Sequence, residues 1–292
     1  MTAADAAFAR ELAEAAGRIL LERYERVEVV DHKSARDVVT EVDHLSEAMI
    51  LDAIRARFPG DGILAEESGA HRARGGERAL AHGRTWVVDP LDGTINYANG
   101  IPYFCVSIGL VVDGVPAAGA VHDPMRGETF WASRDGAAML GATAVHASRK
   151  EQLSDFVVSM ALGGRAVTSR ARAVRKVIRA SRNTGSAALA LAYVANGRFD
   201  AFLQTGGMSA WDVAAAGLIA ERAGVTVTDA AGGPWFDVDR LTRGFGIVAA
   251  PPAHHEALLR WSREAGRTGA GPEATPSLSA AELDRVAAAA ED

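Results

Sequence analysis

A chain of 292 residues, 48% hydrophobic, with formal net charge -6 and a single cysteine, is long enough to bury a large core in one big domain or two modest ones. The acidic balance argues against a general nucleic-acid or membrane-surface binder, which needs a basic field to collect phosphates, and leaves a small-molecule substrate as the better fit. One cysteine excludes an intrachain disulfide, and the sequence shows no basic n-region, apolar h-region or membrane-length run, so a cytoplasmic protein is expected.

In chain order, Phe8, Leu12, Ala15, Ile19 and Leu20 recur near helical spacing and predict an amphipathic helix over 3–24. Residues 27–43 read as a short strand, a polar loop carrying Lys33 and Asp37, and a second strand near Thr40 and Asp43. Taken alone, that hairpin is equally a solvated β-turn. A second helix is expected from Val42 to Phe58, closed by Pro59-Gly60. Gly62 to Ala65 then forms a short strand that delivers Glu66 and Glu67 to an edge, where strand alternation would point them to opposite faces. By themselves these two acids are better read as a helix cap or surface turn. Residues 69–84 read as an exposed connection.

The central stretch runs from Trp86 to Tyr103. Trp86, Val87 and Val88 predict a buried strand ending at Asp89-Pro90, and Gly93-Thr94 offers a turn and a helix start. Pro90 stiffens the backbone that carries Asp89 and Asp92. Two carboxylates held together repel unless a hard divalent cation such as Mg²⁺ lies between them, and backbone N–H groups of Gly93 and Thr94 would point at an anion. Downstream, Cys105–Val112, the Asp113-Gly114 turn, Pro116–Val121, Phe130-Trp131 and the Asp135-Gly136 turn predict an antiparallel meander. Cys105 is read as a core residue and His122 as structural.

Near Ser148 the composition changes, and strands (156–158, 199–203) alternate with helices (169–181, 213–223) as in α/β units. Arg172, Arg175, Lys176 and Arg179 form a solvated helix face. Gly185, Ser186, Ala187 and Ala188 open a further helix with room for a ligand against the backbone. Asp212, after Trp211, reads alone as an ordinary N-cap.

The string D-P-L-D-G-T-x-N at Asp89–Asn96, with Ile63–Ser68 upstream and Trp211–Ala215 downstream, resembles the inositol monophosphatase family of Mg²⁺-dependent, lithium-sensitive sugar phosphatases. The composition change near Ser148 divides the chain into an N-terminal domain over 1–148 and a C-terminal domain over 149–266, and residues 267–292, rich in Gly, Pro, Ala, Thr and Ser and outside the resemblance, read as a mobile tail. The resemblance implies an α+β and α/β layered sandwich and a homodimer. It implies metal ligation by Glu66, Asp89, Asp92, Asp212 and the Leu91 carbonyl. Glu67, Thr94 and Asp43 would serve catalysis, with the 27–43 hairpin as a flap. Lys33, Asp92, Gly93, Thr94, Gly185, Ser186, Ala187 and Thr205 would contact the substrate.

The expected reaction is hydrolysis of a phosphate monoester by metal-activated water, in the manner of two-metal in-line displacement. Inositol monophosphate or a related sugar phosphate is the expected substrate. Fructose 1,6-bisphosphate, histidinol phosphate and a 3′-phosphonucleotide are alternatives, as is a non-catalytic partner protein on the same scaffold. Two departures stand out. Thr205 occupies the position, seven residues before Asp212, where inositol-preferring members carry Glu, and Arg222-Ala223-Gly224-Val225 replaces Glu-Ala-Gly-Gly.

Overall fold

Small and branched apolar residues recurring at helical spacing build α1 (Thr2–Arg23), whose Ala6, Ala9, Leu12, Ala13, Ala16 and Leu20 are buried. The structure is a computed structural model that describes residues 2–26, 30–34, 37–71, 83–164, 166–237, 240 and 244–263, with 30–34, 37–39 and 71 described by backbone alone. The chain continues through β1 (Val30–Ser34), β2 (Asp37–Thr40), α2 (Glu41–Arg57), β3 (Gly62–Ala65), β4 (Gly69–His71), β5 (Arg84–Asp92) and α3 (Thr94–Ala98). A meander follows: β6 (Cys105–Val112), β7 (Val115–Asp123), β8 (Glu128–Ser133), β9 (Met139–Leu140) and β10 (Thr143–Ala144). The rest comprises β11 (Val157–Ala161), α4 (Val167–Arg175), β12 (Ala180–Arg182), α5 (Ala187–Val194), β13 (Ala201–Met208), α6 (Ala210–Arg222), β14 (Thr226–Asp229), β15 (Phe245–Ala250) and α7 (Pro252–Arg263).

Strands β1 and β2 pair as a hairpin of their own, and the others form two sheets, in the orders β10-β9-β8-β7-β6-β5-β3-β4 and β12-β11-β13-β15-β14. Helices α1 and α2 cover one face of the large sheet, α5 and α6 lie between the two sheets, and α4 and α7 cover the outer face of the small one. This is an α+β layered fold. Strand alternation sorts the apolar residues accordingly: Trp86 and Val88 face α1 and α2, while Val87 between them faces α5 and α6.

The sequence reading places most elements, with instructive differences. β5 does not end at Asp89-Pro90; it runs through Asp92, because Asp92 still pairs with Cys105 across a bulge. The helix expected over 169–181 stops at Arg175, and Ala180–Arg182 becomes an edge strand pairing in parallel with β11. Part of the expected connection over 69–84 is strand β4, while residues 72–82 lie outside those described. The tail after Arg263 also lies outside them. The small sheet is mixed, parallel at β12-β11-β13 and antiparallel at β13-β15-β14.

The central helix α6 is seated unusually close to the large sheet. Gly109 and Gly119 face each other across β6 and β7. A Cβ on Gly119 would lie 2.8 Å from Ala215 Cα, and one on Gly109 would lie 3.0 Å from Ala214 Cβ. The two glycines and the alanine run of α6 thus let helix and sheet backbones approach, which brings the start of α6 down onto β5. At the other end of the middle layer, Tyr193 Oη donates to Asp123 Oδ2 (2.5 Å). Arg198 grips Glu128 with both terminal nitrogens (2.5 and 2.7 Å). The Arg198 fork, with Arg126 beside it, holds the Glu128 carboxyl down at about 2. These contacts tie α5 and the loop after it to β7 and β8.

Replacing Gly119 by Ala is expected to destabilise the protein by about 1–3 kcal/mol, the usual cost of overpacking a tight contact. A urea unfolding midpoint unchanged from wild type would show that α6 can withdraw without cost.

Candidate active site

Regular strand geometry would send Asp89 and Asp92, three residues apart, to opposite faces of the sheet. The bulge changes this: from Asp89 to Asp92 the chain spends one residue more than the partner segment from Ser107 to Cys105. Both acids therefore face the middle layer, and Leu91 between them turns its side chain into the core beneath α1 and α2. Asp212 meets them from the first turn of α6. It caps that turn, accepting from Ser209 N–H at 2.6 Å. Asp89, Asp92 and Asp212 each offer an oxygen within 4.8 Å of the others.

The cluster is electrostatically expensive. Asp89 is 1% exposed, its Oδ1 accepts from Leu91 N–H at 3.0 Å, and its Oδ2 is buried with no hydrogen-bond partner among the described residues. Burial pushes its carboxyl well above the ordinary range, and the charges of Glu66, Asp92 and Asp212 push it further. Asp212 is raised in the same way, by burial first and Asp92 next. Asp92 is raised by burial, against the pull of its donors. Those donors belong to the start of α5: Ser186 Oγ (2.6 Å) and Ala188 N–H (2.7 Å) on Oδ2, and Ala187 N–H (3.3 Å) on Oδ1. A buried, unpartnered carboxylate oxygen facing two further carboxylates is a donor set for a hard divalent cation, which fits these residues.

The remaining expected residues take distinct places. Glu66 belongs to the electrostatic surroundings of Asp89 and Asp212, and its N–H donates to Val88 O at 3.1 Å. Glu66 and Glu67 stand in a turn after β3, so the strand alternation expected for them does not apply. Asp43 closes the capping box of α2, its Oδ2 accepting from Thr40 N–H (2.8 Å) and Thr40 Oγ1 (2.6 Å). Thr94 Oγ1 lies 3.2 Å from Asp43 Oδ1 and 3.0 Å from the Leu91 carbonyl oxygen, and its single proton serves one acceptor at a time. Gly93 has φ +98°, and a Cβ there would crowd Tyr103 O at 3.1 Å, so only glycine suits this corner. The side chain of Lys33 lies outside those described.

A cleft of about 230 Å³ opens beside the cluster, lined by Asp92, Asp212, Gly185, Ser186, Ala187 and Gln204 among others. Thr205, expected to face a substrate, does not line it: its Oγ1 accepts from Gly163 N–H at 2.9 Å, and its neighbour Gln204 takes the cleft wall. A larger groove of about 630 Å³, lined by Arg134, Glu221, Trp235 and Phe236 near the far end of α6, contains none of the three clustered aspartates.

Several residues at the site have no role in the sequence reading. Asn96 Nδ2 donates to Tyr103 O (2.6 Å) and Thr184 O (2.8 Å), holding the α3 corner to the segment before α5. Ser107 Oγ donates to the Trp211 carbonyl at 3.0 Å. Ser46 and Glu47 sit beneath the cluster, and their signal in the sequence is their spacing from Asp43, which puts charge and hydroxyl on a buried helix face. Cys105 Sγ lies 3.7 Å from Asp92 Oδ2, and burial followed by the Asp92 charge pushes its thiol well up, so it is no thiolate nucleophile.

An acid whose folded-state pKa is raised adds stability that is complete below the ordinary carboxylate range and is lost as pH rises through the raised value. In chelator, Asp89→Asn and Asp212→Asn should therefore each be more stable than wild type at neutral pH, with a margin that shrinks on acidification. Thermal melts across pH measure this, and a margin independent of pH would contradict it.

A profile of the inositol monophosphatase family matches residues 3–267. The chain is 38% identical over 226 residues to Nus factor SuhB of Xylella fastidiosa, covering 74% of this chain and 78% of that one. It is 34% identical over 266 residues to an inositol monophosphatase of Mesembryanthemum crystallinum, covering 89% and 96%. Among solved structures, a Thermotoga maritima IMPase superposes with TM-score 0.79 at 31% identity, covering 91% of this chain and 98% of that one. An inositol monophosphatase of Anabaena gives TM-score 0.73 at 32% identity, covering 88% and 94%. With its acidic corner, its layered fold and its sequence agreeing over nearly the whole length, the chain belongs to the inositol monophosphatase family.

Proposed function

We propose that this protein hydrolyses a small phosphate monoester in a Mg²⁺-dependent reaction at the acidic cluster. The observation that carries the reading is the convergence of Asp89, Asp92 and Asp212 within 4.8 Å, with Asp89 Oδ2 left without a hydrogen-bond partner among the described residues. In this reading Glu66, Asp89, Asp92, Asp212 and the Leu91 carbonyl hold the metal. Divalent ions held there would supply a water of lowered pKa and offset charge developing on the phosphate. Asp43 can accept the Thr94 proton, which leaves Thr94 Oγ1 free to accept a hydrogen bond from a water, and Glu67 would help orient that water. Backbone N–H groups at Gly93 and Thr94 steady the phosphate, and Gly185, Ser186 and Ala187 pack against the alcohol.

The cleft supports a small alcohol. Its volume of about 230 Å³ falls below the roughly 300–1,000 Å³ of sites for drug-sized ligands. That accords with inositol monophosphate or another sugar phosphate, with fructose 1,6-bisphosphate, histidinol phosphate and a 3′-phosphonucleotide as alternatives. The wall residue Gln204 is neutral, so substrate hydroxyls lack the ionised acceptor that would give strong selectivity. Selectivity among small sugar phosphates is therefore broad. A homodimer and lithium inhibition complete the reading by family, and Ile95 and Ile101, 51% and 46% exposed beside the α3 corner, offer apolar surface to a second subunit.

The relatives called Nus factor SuhB bring a second reading, a partner protein on this fold. Catalysis is favoured, because binding a partner gives no use to buried carboxylates that repel one another. No helix among the described residues is long and apolar enough to cross a membrane.

Phosphate release from inositol 1-phosphate should require Mg²⁺ and stop in excess EDTA; full turnover in EDTA would sink the metal mechanism. Gln204→Glu should raise the preference for inositol 1-phosphate over fructose 1,6-bisphosphate by about ten- to a hundredfold in relative kcat/KM, the worth of one charged acceptor. Thr205→Glu should leave that ratio unchanged. A ratio moved only by the Thr205 variant would reverse this assignment.

A further inference from the structure

Helix α2 turns three polar side chains, Asp43, Ser46 and Glu47, into the protein on one face, and all three are buried. Their spacing of three and four residues stacks them along the helix. Each holds a different segment of the site. Asp43 Oδ1 receives Thr94 Oγ1 at the α3 corner (3.2 Å), and Ser46 Oγ donates to the Pro90 carbonyl in the β5 bulge (3.1 Å). Glu47 accepts from the turn after β3, with Oε2 on Glu67 N–H (2.9 Å) and Oε1 on Ser68 N–H (3.0 Å).

Glu47 is the unusual member. Its carboxylate is 4% exposed and has no ion-pair partner among the described residues. A carboxylate taken from water without a cation is costly, and here its compensation is a pair of charge-assisted hydrogen bonds to two consecutive backbone N–H groups. The two bonds fix both the height and the orientation of the turn carrying Glu66 and Glu67. The same helix, one residue earlier, fixes the bulge carrying Asp89 and Asp92.

We propose that Glu47 is a positioning residue: by gripping the 66–68 turn from the helix that also grips the bulge, it sets the separation of Glu66 from Asp89 and thereby the affinity of the site for its divalent ion. The proposal rests on the reading of the cluster as a metal-dependent phosphatase site. Glu47 touches neither ion nor substrate. Outer groups that orient metal-binding side chains act in this way, and their loss weakens metal binding about ten- to a hundredfold.

The test is Glu47→Gln, which keeps size but replaces one acceptor by an NH₂ group facing an N–H donor. Mn²⁺ binding to the substrate-free protein, followed by electron paramagnetic resonance, should weaken at least about tenfold. The metal concentration for half-maximal turnover should rise in parallel, while kcat and KM at saturating metal return to near wild-type values. Ile50→Val, on the same helix and buried but with an apolar side chain that makes no hydrogen bond to the turn, should lower the melting temperature and leave Mn²⁺ affinity alone. Unchanged Mn²⁺ affinity in a folded Glu47→Gln protein would overturn the proposal, as would a fall in kcat that metal does not restore. If wild type itself binds no Mn²⁺, it is the metal reading that fails, and the role of Glu47 with it.

Discussion

Mutual repulsion among buried carboxylates is the constraint on which the rest of this structure depends. Asp89 and Asp92 lie out of water, and Asp212 partly so, in the seam between the two sheets, with Glu66 close by, and each of the three is harder to ionise than in solution. A fold tolerates such a cluster only if its backbone compels it or a bound cation repays it. Here the backbone compels it, as the geometry shows, and in the reading proposed above a cation at the Asp89 oxygen that lacks a hydrogen-bond partner among the described residues would offset the rest.

Three helix starts converge on the seam and supply much of the compulsion. Asp43 and Asp212 each close the capping box of their own helix, and Asp92 accepts from the first turn of a helix that belongs to the other side of the seam. Backbone N–H groups at helix starts are unpaired within the helix and carry partial positive charge, so they favour carboxylates, and an incoming phosphate, at the same place. The glycine pair under α6 and the hydrogen bonds from α2 determine how near these ends come to β5. The acids are thus placed by packing that lies one layer behind them.

Much of this was legible in the sequence, and the limits have physical causes. Asp89 and Asp92 could be picked out as a carboxylate pair on a stiff strand-to-helix junction, whereas Asp212 alone read as an ordinary N-cap and joined them only through the resemblance of three motifs to the family. Their shared direction was not legible: a bulge depends on the register of the partner strand, which no local pattern reveals, so β5 seemed to end three residues early. The alternation assigned to Glu66 and Glu67 failed because the chain turns as soon as Ala65 is passed. Counting back from Asp212 pointed to Thr205, but two glycines and an irregular pairing between Gln204 and Met208 break the count, and Gln204 takes the wall. Glu47 and Gly119 escaped notice because their importance lies in contacts with segments 20 and 96 residues away.

The central claim is that this buried cluster exists to hold divalent metal. Crystals soaked in Mn²⁺ and measured for its anomalous scattering test it most directly. The account predicts anomalous peaks enclosed by Asp89, Asp92 and Asp212 in the wild-type protein, and their loss or strong weakening in Asp89→Asn. A well-ordered wild-type crystal with no peak among these carboxylates at millimolar Mn²⁺ would contradict it.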